Sequence, residues 1–219
     1  AYNEHDEARY VVETIESLVK QGNARNEIAI LYRSNAQSRV LEEALLRERI
    51  PYRIYGGQRF FERAEIKNAM AYLRLIEGRG NDAALERVIN VPPRGIGEKT
   101  VEAIREHARH SQASMWDAMC QLLAAKALKG RAASALGAFI ELIEGLAAKV
   151  VDMPLHTMTQ TTIEQSGLII YHQEEKGEKG QARVENLEEL VSAARNFEST
   201  DEDADLSPLS AFLGHASLE

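Results

Sequence analysis

The sequence predicts a mainly α-helical protein, with a small α/β segment at the amino-terminal end and a larger all-α part after it. Two observations lead to this prediction. Apolar residues recur every three to four positions over most of the chain, which is typical of amphipathic helices. Residues 28–32 and 52–55 are short stretches typical of strands, and both precede Gly57. No convincing strand pattern follows, so we expect two domains, residues 1–57 and 58–219.

The amino-terminal segment alternates helix and strand. Residues 3–20 have helical periodicity with Asn3 as the N-cap, and IAILY at 28–32 is a continuous apolar run that suits a buried strand. A second helix is expected over residues 35–47, and YRIY at 52–55 alternates like a strand. This αβαβ order suggests parallel strands. Because two strands are too few for an independent sheet, we expect an incomplete sheet whose other strands lie outside this chain.

Beyond Gly57, helical periodicity continues almost to the end of the chain. Short turns rich in glycine, proline or charged residues separate the predicted helices. Their expected ranges are 64–77, 82–90, 98–110, 115–128, 130–149, 154–166, 183–197 and 207–218. Residues 173–181 and 198–208 are polar and charged, and we expect them to form exposed loops.

Composition bounds the class of protein. The chain has 219 residues, and its 44% hydrophobic content is ample for a packed core. A net charge of −8 argues against a uniformly basic nucleic-acid coat. The single cysteine excludes an internal disulfide, and no apolar run approaches the roughly 20 residues of a transmembrane helix. We therefore expect a cytoplasmic protein with no membrane partner.

The negative charge is concentrated near the carboxyl-terminal end. Residues 171–219 hold 4 basic and 12 acidic side chains, so the first 170 residues balance to zero. Within those residues, 25–67 carries nine basic and six acidic side chains, and 87–109 carries five and three. Excesses of this size are common on solvated helix faces, so charge alone does not establish a site at either segment.

The strongest local signal is VPPRGIGEKTVEAI at residues 91–104. Two prolines end a helix, and the Gly-Ile-Gly turn leads into another helix whose first N–H groups and dipole attract a phosphate. The isoleucine is expected to be buried as the anchor of the turn. This is the helix-hairpin-helix pattern, which holds the DNA backbone without distinguishing bases. The alternative is a helical corner whose glycines serve packing alone. The candidate phosphate-binding residues are Arg94, Gly95, Ile96, Gly97, Lys99 and Thr100.

The second signal is YRSNAQSR at residues 32–39, which follows a predicted strand and opens a helix. Ligand sites of α/β folds lie at the carboxyl ends of strands. The side chains that could contact an anionic backbone are Arg33, Asn35, Gln37, Ser38 and Arg39. The alternative is that Ser34 or Asn35 caps the helix and that Arg33 is an ordinary surface cation.

No catalytic set or metal site can be assigned from the sequence. A P-loop requires a Gly-Lys-Ser/Thr run, and no Gly-Lys pair occurs in the chain. The six histidines show neither HxxxH nor HExxH spacing, and one cysteine cannot make a zinc site. We therefore expect no P-loop ATP hydrolysis by this chain alone.

Three blocks of the sequence are similar to a known family. They are ILYRSNAQSRVLEEALLRERIPYRIYGGQRFFERAEIKNAMAYLRLI (30–76), VINVPPRGIGEKT (88–100) and ARVENLEELVSAARNF (182–197). Together they resemble the UvrD/Rep/PcrA group of superfamily 1 DNA helicases, which are ATP-dependent 3′-to-5′ DNA-unwinding enzymes. In that family each of two RecA-like motor domains receives an inserted helical domain. The resemblance implies that residues 1–57 are part of motor domain 2A, and that residues 58–219 are most of its inserted domain 2B.

The resemblance also implies functions for both local signals. In the family the YRSNAQSR segment lines the track for single-stranded DNA, which favours DNA contact over capping and implicates Arg33, Ser34, Asn35, Ser38 and Arg39. The GIG loop of the family contacts duplex DNA, which implicates Arg94, Gly95, Ile96, Gly97, Lys99 and Thr100. Gly56 and Gly57 fall at the hinge between 2A and 2B, where paired glycines absorb backbone rotation.

The cofactors and partners follow from the same resemblance. ATP and Mg²⁺ belong to the parent helicase and none to this chain, because the family's ATP-binding motifs are missing here. We expect a DNA-binding and regulatory part of a DNA-repair helicase, inactive alone, whose partners are single-stranded and duplex DNA together with repair proteins or RNA polymerase. The alternative is a helical protein-interaction and autoinhibitory module, in which the acidic residues 171–219 engage repair or transcription proteins.

Overall fold

The computed structural model describes residues 3–55, 57–199, 203 and 205–217. Over these residues eleven α-helices are joined by turns and three short 3-10 segments. The helices are α1 (Glu4–Lys20), α2 (Ser38–Arg47), α3 (Ala64–Glu77), α4 (Asp82–Val88), α5 (Glu98–Ser111), α6 (Met115–Ala124), α7 (Gly130–Val150), α8 (Leu155–Gln165), α9 (Leu168–Gln173), α10 (Glu178–Asn196) and α11 (Pro208–His215). The chain divides into two compact units, unit 1 (Ala1–Arg63) and unit 2 (Ala64–Glu219).

Unit 1 is a pair of helices with non-helical segments packed on them. Helix α1 begins where expected, because the Asn3 side chain accepts a hydrogen bond from the Asp6 N–H at 2.8 Å. Val12 and Ile15 of α1 and Leu45 of α2 form its buried cluster. Ile28, Ile30, Ile50 and Tyr52, which lie outside the helices, pack against this cluster.

The predicted α/β character of unit 1 is wrong, because the described residues contain no β-strand and the fold there is all-α. Residues 28–32 and 52–54 have no regular secondary structure, and Tyr55 lies in a bend. Ile28, Ile30 and Tyr52 pack on the helices, while Leu31 and Tyr55 are 93% and 84% exposed. The backbones of the two segments form no hydrogen bond with each other. The expected burial of residues 28–32 is also wrong, because Ala29, Leu31 and Tyr32 are exposed. A strand also needs a partner backbone at hydrogen-bonding distance.

Unit 2 is built around α3. Ile66, Tyr72, Leu73 and Leu75 of this helix have no exposed surface, since α4, α7, α8, α10 and α11 all pack against it. A helix that is apolar over most of its circumference is expected at the centre of a helical domain. A second buried cluster joins Ile76 of α3 to Leu146 and Val150 of α7.

The predicted helices of unit 2 are confirmed in number and position, with one addition. Gly167 takes a left-handed conformation with φ +85° after α8, and the short α9 follows it. Helix α10 begins at Glu178, so the expected loop at 173–181 is wrong in its second half. Gly180 is buried in the first turn of α10, where a Cβ would lie 2.4 Å from the carbonyl oxygen of His172. Part of the loop expected at 198–208 lies outside the described residues.

None of the helices within the described ranges has the length and apolar content needed to span a bilayer.

Candidate nucleic-acid interface

The GIG turn connects α4 to α5 and is closed by a side chain. Gly95 adopts φ +75°, a conformation that favours glycine, and Gly97 is the N-cap of α5. Ile96 is 3% exposed, which confirms the expected burial of the residue between the glycines. The Asn90 side chain binds the Ile96 backbone twice: its Oδ1 accepts from the Ile96 N–H at 3.1 Å, and its Nδ2 donates to the Ile96 carbonyl oxygen.

The outer side of the turn is open. A Cβ built on Gly97 would have no atom within 4 Å, and its φ of −71° suits any residue. Within the described part of the chain, the backbone N–H groups of Gly97, Glu98 and Lys99 make no hydrogen bond. The Lys99 side chain is exposed, and Thr100 is half-buried. The start of α5 therefore offers free N–H groups, the positive end of the helix dipole and one cation.

Arg94 is turned inward. Its Nη1 donates to the carbonyl oxygens of Val88 at 3.0 Å and Pro92 at 3.1 Å, and its Nη2 donates to the Tyr72 hydroxyl at 2.5 Å and the Ser166 carbonyl at 3.2 Å. The guanidinium also lies over the rings of Tyr72 and Phe139. These contacts assign Arg94 a structural role, because it joins the turn to α3 and to the end of α8.

Tyr72 completes this arrangement beneath the turn. Its hydroxyl accepts from Arg94 and donates to the Val91 carbonyl oxygen at 2.6 Å. Burial raises the pKa of the Tyr72 hydroxyl to about 12, although the nearby Arg94 guanidinium acts to lower it. The hydroxyl is therefore neutral at physiological pH and serves as a buried hydrogen-bonding group.

Two residues at the turn were not found from the sequence. Asn90 looked like an ordinary helix-terminal residue, and its offset of six positions from Ile96 is the only local clue to its function. Arg131, in the first turn of α7, lies against the turn, since a Cβ on Gly95 would be 3.6 Å from its Nε and Nη2. Nothing in the local sequence links Arg131 to Gly95.

The YRSNAQSR segment begins with a capped turn. The Ser34 Oγ accepts from the Ala36 N–H at 3.3 Å, and the Gln37 Oε1 accepts from the N–H groups of Arg33 and Ser34. The capping interpretation thus holds for Ser34. The side chains of Arg33 and Asn35 are exposed, so these two residues remain accessible to a ligand.

The end of the same segment is buried inside unit 1. Ser38 and Arg39 are both 2% exposed. The Ser38 hydroxyl donates to Glu42 at 2.6 Å and accepts from Arg63 at 2.7 Å, and Arg39 is ion-paired with Glu43. The Ser38 hydroxyl and the Arg39 Nη1 are thus engaged by neighbouring side chains of the same unit.

The remaining candidate residues are the two hinge glycines. Gly56 lies outside the described residues, and a Cβ on Gly57 would make an ordinary 3.7 Å contact with Ile54. In the described ranges, no group of three or more His, Cys, Asp or Glu side chains is arranged to hold a metal ion.

Comparison with known proteins covers both units. The whole chain, residues 1–219, matches the family described as UvrD-like helicase C-terminal domain. DNA helicase II of Escherichia coli (strain K12) is 59% identical over 219 residues, which are 100% of this chain and 30% of that protein. DNA helicase II of Haemophilus influenzae is 52% identical over the same shares. The ATP-dependent DNA helicase PcrA of Staphylococcus aureus (strain Mu50) is 35% identical over 198 residues, 90% of this chain and 27% of that protein.

The chain thus spans 30% of the length of the DNA helicase II relatives that it matches. The matched range includes the GIG turn of unit 2 and the YRSNAQSR segment of unit 1. The chain belongs to the UvrD-like helicase C-terminal domain family.

Proposed function

We propose that this chain is the DNA-holding part of an ATP-dependent DNA helicase that acts in repair. In this proposal the GIG turn of unit 2 binds the backbone of duplex DNA, and the exposed start of the YRSNAQSR segment in unit 1 contacts single-stranded DNA. Residues 1–57 belong to a RecA-like motor domain and residues 58–219 to its inserted helical domain, with Gly56 and Gly57 as hinge residues.

The observation that carries the proposal is the open surface at Gly97. Gly95 needs its left-handed φ, but Gly97 has an ordinary φ and open space where a Cβ would be. Glycine is a common N-cap residue, but neither the backbone conformation nor the neighbouring atoms require it at this position. A ligand that approaches the backbone closely does give one, because a methyl group there would separate it from the N–H groups at the start of α5.

A DNA phosphate fits the chemistry of this surface. The N–H groups of Gly97, Glu98 and Lys99 supply donors without protein acceptors, and the Lys99 ammonium adds a positive charge. Backbone donors and a flexible cation bind phosphate oxygens whatever the base sequence. We therefore expect binding that is sequence-independent and sensitive to salt.

Within the GIG site, Arg94 and Ile96 act by positioning. Arg94 is occupied by four protein acceptors, and Ile96 is buried, so neither side chain faces a ligand. Gly95, Gly97, Lys99 and Thr100 form the exposed or half-exposed part. In unit 1, Arg33 and Asn35 are likewise exposed. Ser34 caps the turn, and Ser38 and Arg39 are buried.

ATP and Mg²⁺ belong to the whole helicase in this proposal. No Gly-Lys-Ser/Thr run exists in the chain, so its residues do not fit a P-loop and we derive no step through the nucleotide. Repair proteins or RNA polymerase as partners stay predictions, as does the alternative of a protein-interaction module formed by the acidic residues 171–219.

The test is a titration of fluorescently labelled forked DNA with the full chain, measured by anisotropy between about 50 and 200 mM salt. We expect weak binding at low salt that decreases steeply as salt rises. A variant with Gly97→Glu and Lys99→Glu is expected to lose duplex binding, because it places two carboxylates where phosphates would lie.

The control for loss of a cation outside the GIG site is Arg109→Gln. Arg109 is exposed on the last turn of α5, at the opposite end of the helix from Lys99, so its loss lowers the net charge without altering the GIG site. Absence of binding at low salt would exclude DNA binding by this chain. Equal binding by wild type and the double variant would exclude the GIG turn as the site.

A further inference from the structure

The stretch from the end of α6 into the first turn of α7, residues 125–131, is locally basic. It carries Lys126, Lys129 and Arg131, and no acidic residue occurs between Asp117 and Glu141. All three side chains are exposed. Across the described residues of the chain, none of the three forms an ion pair or a side-chain hydrogen bond. We call residues 125–131 the basic loop.

Several other arginines of unit 2 are engaged by protein groups. Arg79 pairs with Glu144 at 2.9 Å, Arg105 with Glu86 at 2.8 Å and with Glu102, and Arg183 with Glu175. Arg94 is held by carbonyl oxygens and a hydroxyl. The contrast matters because an unpaired guanidinium keeps its five donors available for an external anion.

Arg131 brings the basic loop to the GIG turn. Its Nε and Nη2 lie 3.6 Å from where a Cβ of Gly95 would be, so the guanidinium lies beside the turn. Gly95 precedes Arg131 by 36 positions, so the fold brings the two residues together. This proximity places a positive planar group beside the turn whose free N–H groups are proposed to bind a phosphate.

We propose that the basic loop is a second DNA-binding segment of unit 2, which acts together with the GIG turn on one phosphate strand of duplex DNA. Arg131 binds the same phosphate as the turn or its neighbour, and Lys129 and Lys126 bind phosphates further along the strand. This inference rests on the proposed function and adds the basic loop, with Lys126, Lys129 and Arg131, to the proposed DNA-binding residues.

The dimensions and chemistry of the loop suit this arrangement. Residues two positions apart, such as Lys129 and Arg131, span at most about 7 Å, while phosphates of one strand recur about every 3.4 Å along the duplex axis. Both side chains can therefore reach one strand. The guanidinium fork binds two phosphate oxygens at once, whereas each lysine acts as a mobile point charge.

The test compares duplex binding by four variants of the full chain: Arg131→Gln, Arg131→Lys, a Lys126→Gln plus Lys129→Gln variant, and Arg109→Gln as the control. We expect Arg131→Gln to weaken binding about fivefold to tenfold, and to reduce the slope of log affinity against log salt by about 0.9. The double lysine variant should reduce that slope by roughly twice as much. Arg131→Lys should retain the slope but lose part of the affinity, because it keeps the charge and loses the fork.

The GIG variant separates this inference from the proposed function. If Gly97→Glu with Lys99→Glu abolishes binding while Arg131→Gln behaves like Arg109→Gln, the basic loop is excluded and the GIG site stands. If all these variants bind like wild type, the proposed function itself fails. Binding of polyglutamate as tight as that of duplex DNA would also overturn the inference. Circular dichroism should show the same helical content in all variants.

Discussion

The side-chain amide of Asn90 forms two hydrogen bonds with the backbone of Ile96. The Asn90 Oδ1 accepts from the Ile96 N–H, and the Asn90 Nδ2 donates to the Ile96 carbonyl oxygen. The amide thus binds both backbone polar groups of Ile96, as the backbone of a neighbouring strand does in a β-sheet. It holds both flanking glycines in place while the Ile96 side chain is buried below. The shape of the proposed phosphate site therefore depends on a residue outside it.

Asn90→Ala is expected to lower the free energy of unfolding by about 1–3 kcal/mol, because it leaves the N–H and carbonyl of a buried residue without partners. Duplex binding should weaken as well. Asn90→Asp should not rescue either property, since it keeps the acceptor but sets a carboxylate against the Ile96 carbonyl oxygen. Urea unfolding and DNA anisotropy measure both effects. Wild-type stability of Asn90→Ala would contradict this function of the amide.

Arg94→Gln is expected to destabilise the chain by about 2–4 kcal/mol, because the Tyr72 hydroxyl and three carbonyl oxygens lose their donor. Arg109→Gln, an exposed change in the same unit, should stay within about 0.5 kcal/mol of wild type. Urea unfolding compares the two variants. If Arg94→Gln were as stable as Arg109→Gln and lost only DNA binding, Arg94 would be a DNA contact and not a structural residue.

Tyr72 should make stability depend on pH in the alkaline range. Its pKa is raised to about 12 in the folded state from an ordinary value of 10.0, so the unfolded chain loses this proton first. The stabilising contribution is therefore complete below pH 10 and is lost as the pH rises through about 12. Tyr72→Phe should lack this part of the pH dependence, and ultraviolet absorbance should show a late-ionising tyrosine that is absent from Tyr72→Phe. Identical alkaline titration of the wild type and of Tyr72→Phe, apart from the loss of one tyrosine near pH 10, would contradict the prediction.

Gly180→Ala is expected to destabilise the chain by about 2–4 kcal/mol. The added Cβ would lie 2.4 Å from the His172 carbonyl oxygen and 2.7 Å from that of Glu175, and both are backbone atoms that cannot simply turn away. Gly145→Ala in α7 is the matched control. It has no atom within 4 Å of the new Cβ, and alanine should stabilise that helix by about 0.5–1 kcal/mol. Thermal unfolding should shift the two variants in opposite directions.

Periodicity and capping were sufficient to predict most helices. Asn3 and Pro208 lie at the helix starts where local rules place them, since a cap or an N-terminal proline acts within one turn. The short α9 was missed because only the left-handed Gly167 separates it from α8. The predicted strands were wrong because an apolar run at 28–32 and alternation at 52–55 each describe a single segment, whereas strand pairing depends on two segments.

At the candidate site, too, the sequence predicted what depends on local residues but not what depends on distant ones. The burial of Ile96 and the exposure of Lys99 follow from the local pattern of the turn. The environment of Arg94 does not, because its acceptors come from residues 72 and 166 as well as from its own turn. Ser38 and Arg39 likewise look like surface polar residues in the sequence, but Glu42, Glu43 and Arg63 enclose them.

The hydrogen bonds of Arg94 have a consequence for how the turn fluctuates. One guanidinium connects Tyr72 in α3, Val88 at the end of α4 and Ser166 after α8, so none of these segments can open without breaking contacts of the others. Their backbone amides should therefore exchange with deuterium as a single slow unit. Most ligand-binding loops belong to the least protected regions of a protein. The GIG turn is preorganised by these contacts, so in the proposed function DNA should lose little affinity to the ordering of the loop.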